Sequence, residues 1–170
     1  MTGLMSSPQR PKTELPQLGR RGGGWVAVQF VLLVAIAASA LLGLGPHGAL
    51  AWLAYLAGGA LLGLGVVVLV AGGAGLGSAL TPFPAPRPGE ALRRSGVYSL
   101  VRHPIYGGVL LVALGWSVVF ATPVGLALTI LLGLFFELKS RREEHLLEQI
   151  HPEYPEYRRR TRRRFIPHLW

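Results

Sequence analysis

From Trp25 to Ala71 the chain carries no formal charge, and from Ile105 to Phe136 it carries none again. In soluble domains roughly a quarter of residues are charged, so such gaps are rare there. Uncharged runs of about 20 residues match what one helix needs to cross a bilayer core. In that core every backbone N–H and C=O must be satisfied within the element itself, which selects helices. Bulk composition agrees: 51% hydrophobic, 15% charged, mean hydropathy +0.43. The runs predict an all-α, polytopic membrane helix bundle with about four membrane helices and a cytoplasmic C-terminal helix.

Gly45-Pro46-His47-Gly48 divides the first run into spans at 25–44 and 49–71. The first is apolar apart from Gln29 and Ser39, and the second opens with Trp52 and Tyr55 at a plausible interface depth. Gly59 and Gly63 form a small-xxx-small pair, expected to let a neighbouring helix approach closely. No strand precedes them, so they are not a dinucleotide fingerprint. Residues 1–24 are polar, proline-rich and basic, and read as a disordered cytoplasmic tail. Arg20-Arg21 and Ala38-Ser39-Ala40 have the look of a twin-arginine signal and its cleavage site. The apolar run nevertheless continues through Leu41, Leu42 and Leu44, which favours an uncleaved first span.

Prolines at 82, 84, 86 and 88 make residues 72–96 an extended polar connection. The second apolar block, 105–138, breaks at Thr122-Pro123, and each half sits near the lower limit of about 17 residues for a span. Two short spans and a hairpin that dips in and returns both fit, and both put Arg102 and Glu137 on one membrane face. Every Lys and Arg lies in the tail, in the 72–102 connection or after Glu137, giving a net charge of +9. The positive-inside pattern then places both termini in the cytoplasm, with a bacterial inner membrane as the expected setting. A helix over 137–150 runs on beyond the apolar block and ends at His151-Pro152.

The segment 96–108 holds a cation, an imidazole, two phenols and a proline beside the membrane. His103 precedes Pro104 and is pushed towards extended backbone, while Pro104 suits a first helical position. A helix starting near Ile105 aims its free N–H groups back over Arg102 and His103, a place for an anionic group. Two polar clusters flank the second block. Tyr98, Arg102, His103 and Tyr106 precede it, and Arg141, Arg142, Glu143, Glu144, Tyr154 and Tyr157 follow it. A hairpin of near-equal halves brings them face to face, as a pocket for a zwitterionic cofactor that an apolar substrate reaches from lipid. The chain has no cysteine, which excludes disulfides, thiolate metal sites and a cysteine nucleophile. No residue spacing suggests a metal site.

In order, Gly96-x-Tyr98, Arg102-His103-Pro104-x-Tyr106-x-Gly108, Glu143-Glu144-x-x-Leu147, Tyr154-x-x-Tyr157 and a basic stretch closing on Pro167 resemble the isoprenylcysteine carboxyl methyltransferase family. Phospholipid N-methyltransferases are related to it. Leu80-Thr81-Pro82 and Pro86 look like bacterial members, and the resemblance covers residues 80–167. It implies an integral-membrane enzyme using S-adenosylmethionine, with 72–170 as the catalytic region. Matched by position, Tyr98, Arg102, His103, Pro104, Tyr106, Glu143, Glu144, Tyr154 and Tyr157 are its implied cofactor-binding residues, and His103 and Glu144 its implied catalytic pair. Chemistry is compatible: Arg102 suits a carboxylate, the glutamates an ammonium or ribose, and tyrosine faces a sulfonium. The acceptor stays open between an isoprenylcysteine-like carboxylate, which needs no base, and a phospholipid-like amine, which does.

Two other classes fit parts of the pattern. Membrane sterol and steroid reductases that use NADPH carry a related motif, but with asparagine where Ile105 stands, and Glu143-Glu144 favours methyl transfer. A non-catalytic scaffold would use the same clusters only as anchors. Arg158, Arg159, Arg160, Arg162, Arg163 and Arg164 read as an anchor on anionic headgroups, at about 1 kcal/mol per cation. They adjoin spanning helices without a folded reader, so nucleic acid is not the expected partner.

Overall fold

The computed structural model describes residues 22–84 and 89–167. Residues 1–21 of the expected tail at 1–24, together with Pro86 and His168, lie outside the described residues, and Gly23 and Gly24 of that stretch already belong to the first helix. Among the described residues five α-helices form and no strand: α1 (Gly23–Ser39), α2 (Ala51–Leu76), α3 (Pro104–Val119), α4 (Pro123–Ile150) and α5 (Tyr154–Arg160). Single 3₁₀ turns at Ala40–Leu42 and Gly77–Ala79 extend α1 and α2, and a third at Gly96–Ser99 precedes α3.

Three helical stretches, Gly23–Leu42, Ala51–Ala79 and Pro123–Ile150, are long and apolar enough to cross a membrane. With Phe30, Val31, Leu64, Val67, Val70 and Ile130 exposed around the bundle, the chain is an integral membrane protein. The fourth apolar helix, α3, has only 16 residues. At about 1.5 Å per residue it spans roughly 24 Å, short of a core about 30 Å thick. The expected four membrane helices are thus three long ones and one short one. The break at Thr122-Pro123 is where the sequence put it: Pro123 opens α4, and the Thr122 hydroxyl accepts the Gly125 N–H at 3.2 Å. From there α4 runs unbroken past Glu137 and stops before His151-Pro152.

Helix α3 packs most closely on α2, through glycine. Gly58, Gly65 and Gly72 recur at heptad spacing as the buried residues of α2. A Cβ at Gly65 would come within 2.8 Å of the Gly108 carbonyl oxygen, and one at Gly115 within 2.7 Å of the Gly58 carbonyl oxygen. The two backbones therefore touch, as small residues permit. Gly59 and Gly63, the expected contact pair, face open space instead. A seven-residue repeat holds one helix face, whereas four-residue spacing at that phase points outward. The same contact carries α2 beyond Ala71, its expected end, to Leu76: Gly72 seats Ile105, and Gly75 lies under the Tyr98 ring.

Trp25, Leu32 and Ile36 of α1, Leu110 and Ala113 of α3, and Leu132, Phe135 and Phe136 of α4 fill the centre with Phe165 from the C-terminal segment. After α5 the chain turns back and lies across the start of α3. Arg102 N–H donates to the Arg163 carbonyl at 3.0 Å and His103 N–H to the Arg164 carbonyl at 2.8 Å. The Phe165 carbonyl rests on α3 where only Gly107 leaves room. Replacing Gly65 with leucine should cost roughly 1–3 kcal/mol by overpacking, whereas Gly63→Leu should leave stability near wild type. Thermal unfolding of the two variants in one detergent makes the comparison.

Candidate active site

His103 caps α3 with φ −129° and Pro104 is its first residue, the geometry that an X-Pro pair imposes. Its imidazole lies between the two glutamates of α4. Nε2 is 3.1 Å from Glu144 Oε1 and Nδ1 is 3.5 Å from Glu143 Oε2. Tyr106, one turn on, donates its hydroxyl to Glu143 Oε1. Its ring stacks on Phe136 at 4.4 Å and on His103 at 5.6 Å. The segment beginning at Gly96 and the twin-glutamate helix thus meet at one mouth, as the hairpin argument requires.

Glu144 is 2% exposed and sits among three partners. Arg102 Nε donates to its Oε1 at 2.8 Å, His103 approaches the same oxygen, and Arg164 Nε lies 3.3 Å away. Arg102 also donates from Nη1 to the carbonyls of Thr161 and Arg162, both at 2.7 Å. Arg164 reaches Glu137 as well. The sequence could not say which C-terminal arginine enters the site; it is Arg164, half-buried while Arg162 and Arg163 are exposed.

Beside this network is a cavity of about 460 Å³, within the range of small-molecule sites. Tyr98, Arg102, His103, Tyr106, Glu143, Tyr154 and Tyr157 line its polar side. Leu76, Leu80, Phe83, Leu92, Ile105 and Leu147 make the other side apolar. Seven of the nine expected binding residues therefore share one wall. Pro104 and Glu144 do not line it: Pro104 starts the helix, and Glu144 lies behind Glu143 and His103. Of the two α4 glutamates, Glu143 is the one presented to the cavity, which Glu90 of the segment before α3 also lines.

The two C-terminal tyrosines differ. Tyr157 donates its hydroxyl to the Tyr98 carbonyl at 2.7 Å, tying α5 to the turn before α3. Tyr154 is 1% exposed, and its hydroxyl has no hydrogen-bond partner among the described residues. Burial pushes the Tyr157 hydroxyl up to about 12 and raises Tyr98 and Tyr154 too, so all three stay neutral at physiological pH.

Sequence reasoning missed Lys139 and Gln29, which also line the cavity. Lys139 is 1% exposed, with Nζ 2.6 Å from Gln29 Oε1 and 5.2 Å from the Tyr106 ring centre. The available signal was Gln29 itself, an amide alone in an otherwise apolar stretch.

A sequence profile of the phospholipid methyltransferase family matches residues 53–154. A rice (Oryza sativa subsp. indica) protein named probable protein-S-isoprenylcysteine O-methyltransferase is 42% identical over 64 residues, 36% of this chain and 34% of its own. Protein-S-isoprenylcysteine O-methyltransferase B of Arabidopsis thaliana is 36% identical over 68 residues, 39% of this chain and 34% of its own. The cobalt-zinc-cadmium resistance protein CzcN of Cupriavidus metallidurans is 41% identical over 87 residues, 49% and 38% of the two chains. The matched stretches span little more than a third of these relatives.

Two contrasts test the geometry. Glu144→Ala strands two cationic partners at a buried position and should destabilise by about 3–5 kcal/mol, whereas Arg141→Ala, which breaks an exposed pair with Glu137, should change stability by about 1 kcal/mol or less. Tyr157→Phe should cost about 1 kcal/mol by freeing a buried carbonyl, while Tyr154→Phe, with no bond to lose, should cost nothing measurable. Unfolding midpoints in detergent decide both.

Proposed function

Because the chain belongs to the phospholipid methyltransferase family, we propose that it is an integral-membrane enzyme that takes a methyl group from S-adenosylmethionine and passes it to a lipophilic or membrane-delivered acceptor. The observation that carries this reading is the two-sided cavity. Aromatic, cationic and acidic side chains of the segment 98–106, α4 and α5 line it together with apolar ones from the end of α2, the segment after it, Ile105 and Leu147.

The polar wall fits the cofactor. Glu143 offers oxygen acceptors to an ammonium or to ribose hydroxyls. Tyr154 offers a buried hydroxyl with no partner among the described residues, and an orphaned polar group of this kind is costly unless something meets it. The faces of Tyr98 and Tyr157 suit adenine and a sulfonium. The free N–H groups at the start of α3 suit a carboxylate. When bound, S-adenosylmethionine supplies an electrophilic methyl group, and orientation is the protein's share of the work.

Arg102, with Nε and Nη1 engaged on Glu144 and on tail carbonyls, aligns Glu144 and the start of α3. Glu144 in turn acts through His103. Glu144 Oε1 lies 3.1 Å from Nε2 and orients the ring so that Nδ1 is on the Glu143 side. For an amine acceptor, His103 Nδ1 or Glu143 takes the proton released from nitrogen. A carboxylate acceptor releases none. We place both ends of the chain and the cavity on the cytoplasmic side, where the exposed Arg159, Arg162 and Arg163 meet anionic headgroups.

Detergent-solubilised protein should bind S-adenosylhomocysteine saturably and transfer labelled methyl into a lipid extract of the source cell. Tyr154→Phe should weaken binding by about 3- to 10-fold, the worth of one hydrogen bond. His103→Ala should lower turnover by about tenfold or more without unfolding. No binding to well-folded protein, with NADPH bound instead, would overturn the reading.

A further inference from the structure

Lys139 has no role in the chemistry above, yet it is the most deeply buried cation among the described residues. Its ammonium donates to two neutral oxygens: Gln29 Oε1 of α1 at 2.6 Å and the Pro82 carbonyl at 3.0 Å. Glu143, one turn along α4, supplies the countercharge. A buried ammonium with neutral partners is an expensive way to fill space, and an apolar side chain would serve packing better. What lysine alone provides here is reach. One group joins α4, α1 and the segment 81–84, three pieces of chain that are remote in sequence.

The segment it holds is part of the cavity wall. Thr81, Pro82, Phe83 and Pro84 all line the cavity, as do Gln29 and Lys139. Pro84 is buried over the start of α1, where a side chain at Gly22 would collide with its ring. The prolines preclude a helix, so no ladder of backbone bonds holds this stretch. Its position over the cavity therefore depends on Lys139 and on the contact of Pro84 with Gly22. Helix α1 precedes the family-matched residues, and the sequence offered it only as a membrane anchor.

We propose that Lys139 is a positioning residue that, clasped by Gln29, latches residues 81–84 onto α1 as the wall that retains the cofactor, making α1 part of the active site. This rests on the cofactor assignment above, but the latch has a readout of its own. The chain lacks cysteine, so Pro84→Cys introduces a single reporter thiol at a buried position. In the full-length protein in detergent, adding Gln29→Leu or Lys139→Met should raise maleimide labelling of that thiol by roughly tenfold, the scale of a lost bond to a charged group. Gln29→Glu, which keeps an acceptor for the ammonium, should restore protection. On the chain without the reporter, the same two variants should speed S-adenosylhomocysteine dissociation by a similar factor, with turnover at saturating cofactor changed far less. Gln29→Leu keeps the test open should Lys139→Met fail to fold. Unchanged labelling in a folded Gln29→Leu variant overturns the latch. Absence of S-adenosylhomocysteine binding to wild type overturns the functional assignment instead, and the labelling still reads the latch.

Discussion

One buried carboxylate holds the functional end of this protein together. Glu144 receives Arg102 from the segment before α3, His103 from its cap and Arg164 from the C-terminal segment. A charge so enclosed is tolerable only when its partners surround it. Their geometry is therefore strict, and three remote pieces of chain are fixed relative to one another at once. The cavity wall inherits that precision. Glu143, the next residue, points the other way and meets Tyr106 and His103 from the cavity side.

Much of this was legible beforehand because membranes simplify the code. Charge-free runs mark the helices, His103-Pro104 and Thr122-Pro123 mark two starts, and His151-Pro152 marks a stop. Pairing the clusters on either side of the α3–α4 hairpin followed from helix lengths alone. What stayed hidden depends on rotation about a helix axis. Composition cannot say that Gly58, Gly65 and Gly72, not Gly59 and Gly63, meet α3, because an apolar helix in lipid has no polar face to give its phase. The division of labour between Glu143 and Glu144, or between Tyr154 and Tyr157, is hidden for the same reason. Adjacent residues share a motif but not a direction, while Tyr154 and Tyr157, three apart on one face, differ in what their hydroxyls reach.

The arginines of the tail illustrate how repeated residues separate by position. Arg158 and Arg160 pair with Glu148 and Glu156 at the surface, where such bonds contribute little. Arg164 alone turns inward to Glu137 and Glu144. The run reads as one basic patch, yet it contains one structural member and several surface charges. The turn enforced after α5 makes the difference, since it brings residues 163 and 164 against the backbone of Arg102 and His103.

That return of the tail has a consequence for biosynthesis. The N–H groups of Arg102 and His103, and part of the Arg102 guanidinium, find their acceptors on carbonyls of residues 161–164. Helices α1, α2 and α3 can be inserted while those acceptors are still inside the ribosome. Until they emerge, the carboxylate of Glu144 lacks its second guanidinium and the α3 cap stays open to water. The α3 cap and the cluster around Glu144 are thus completed only once residues 161–164 have left the ribosome.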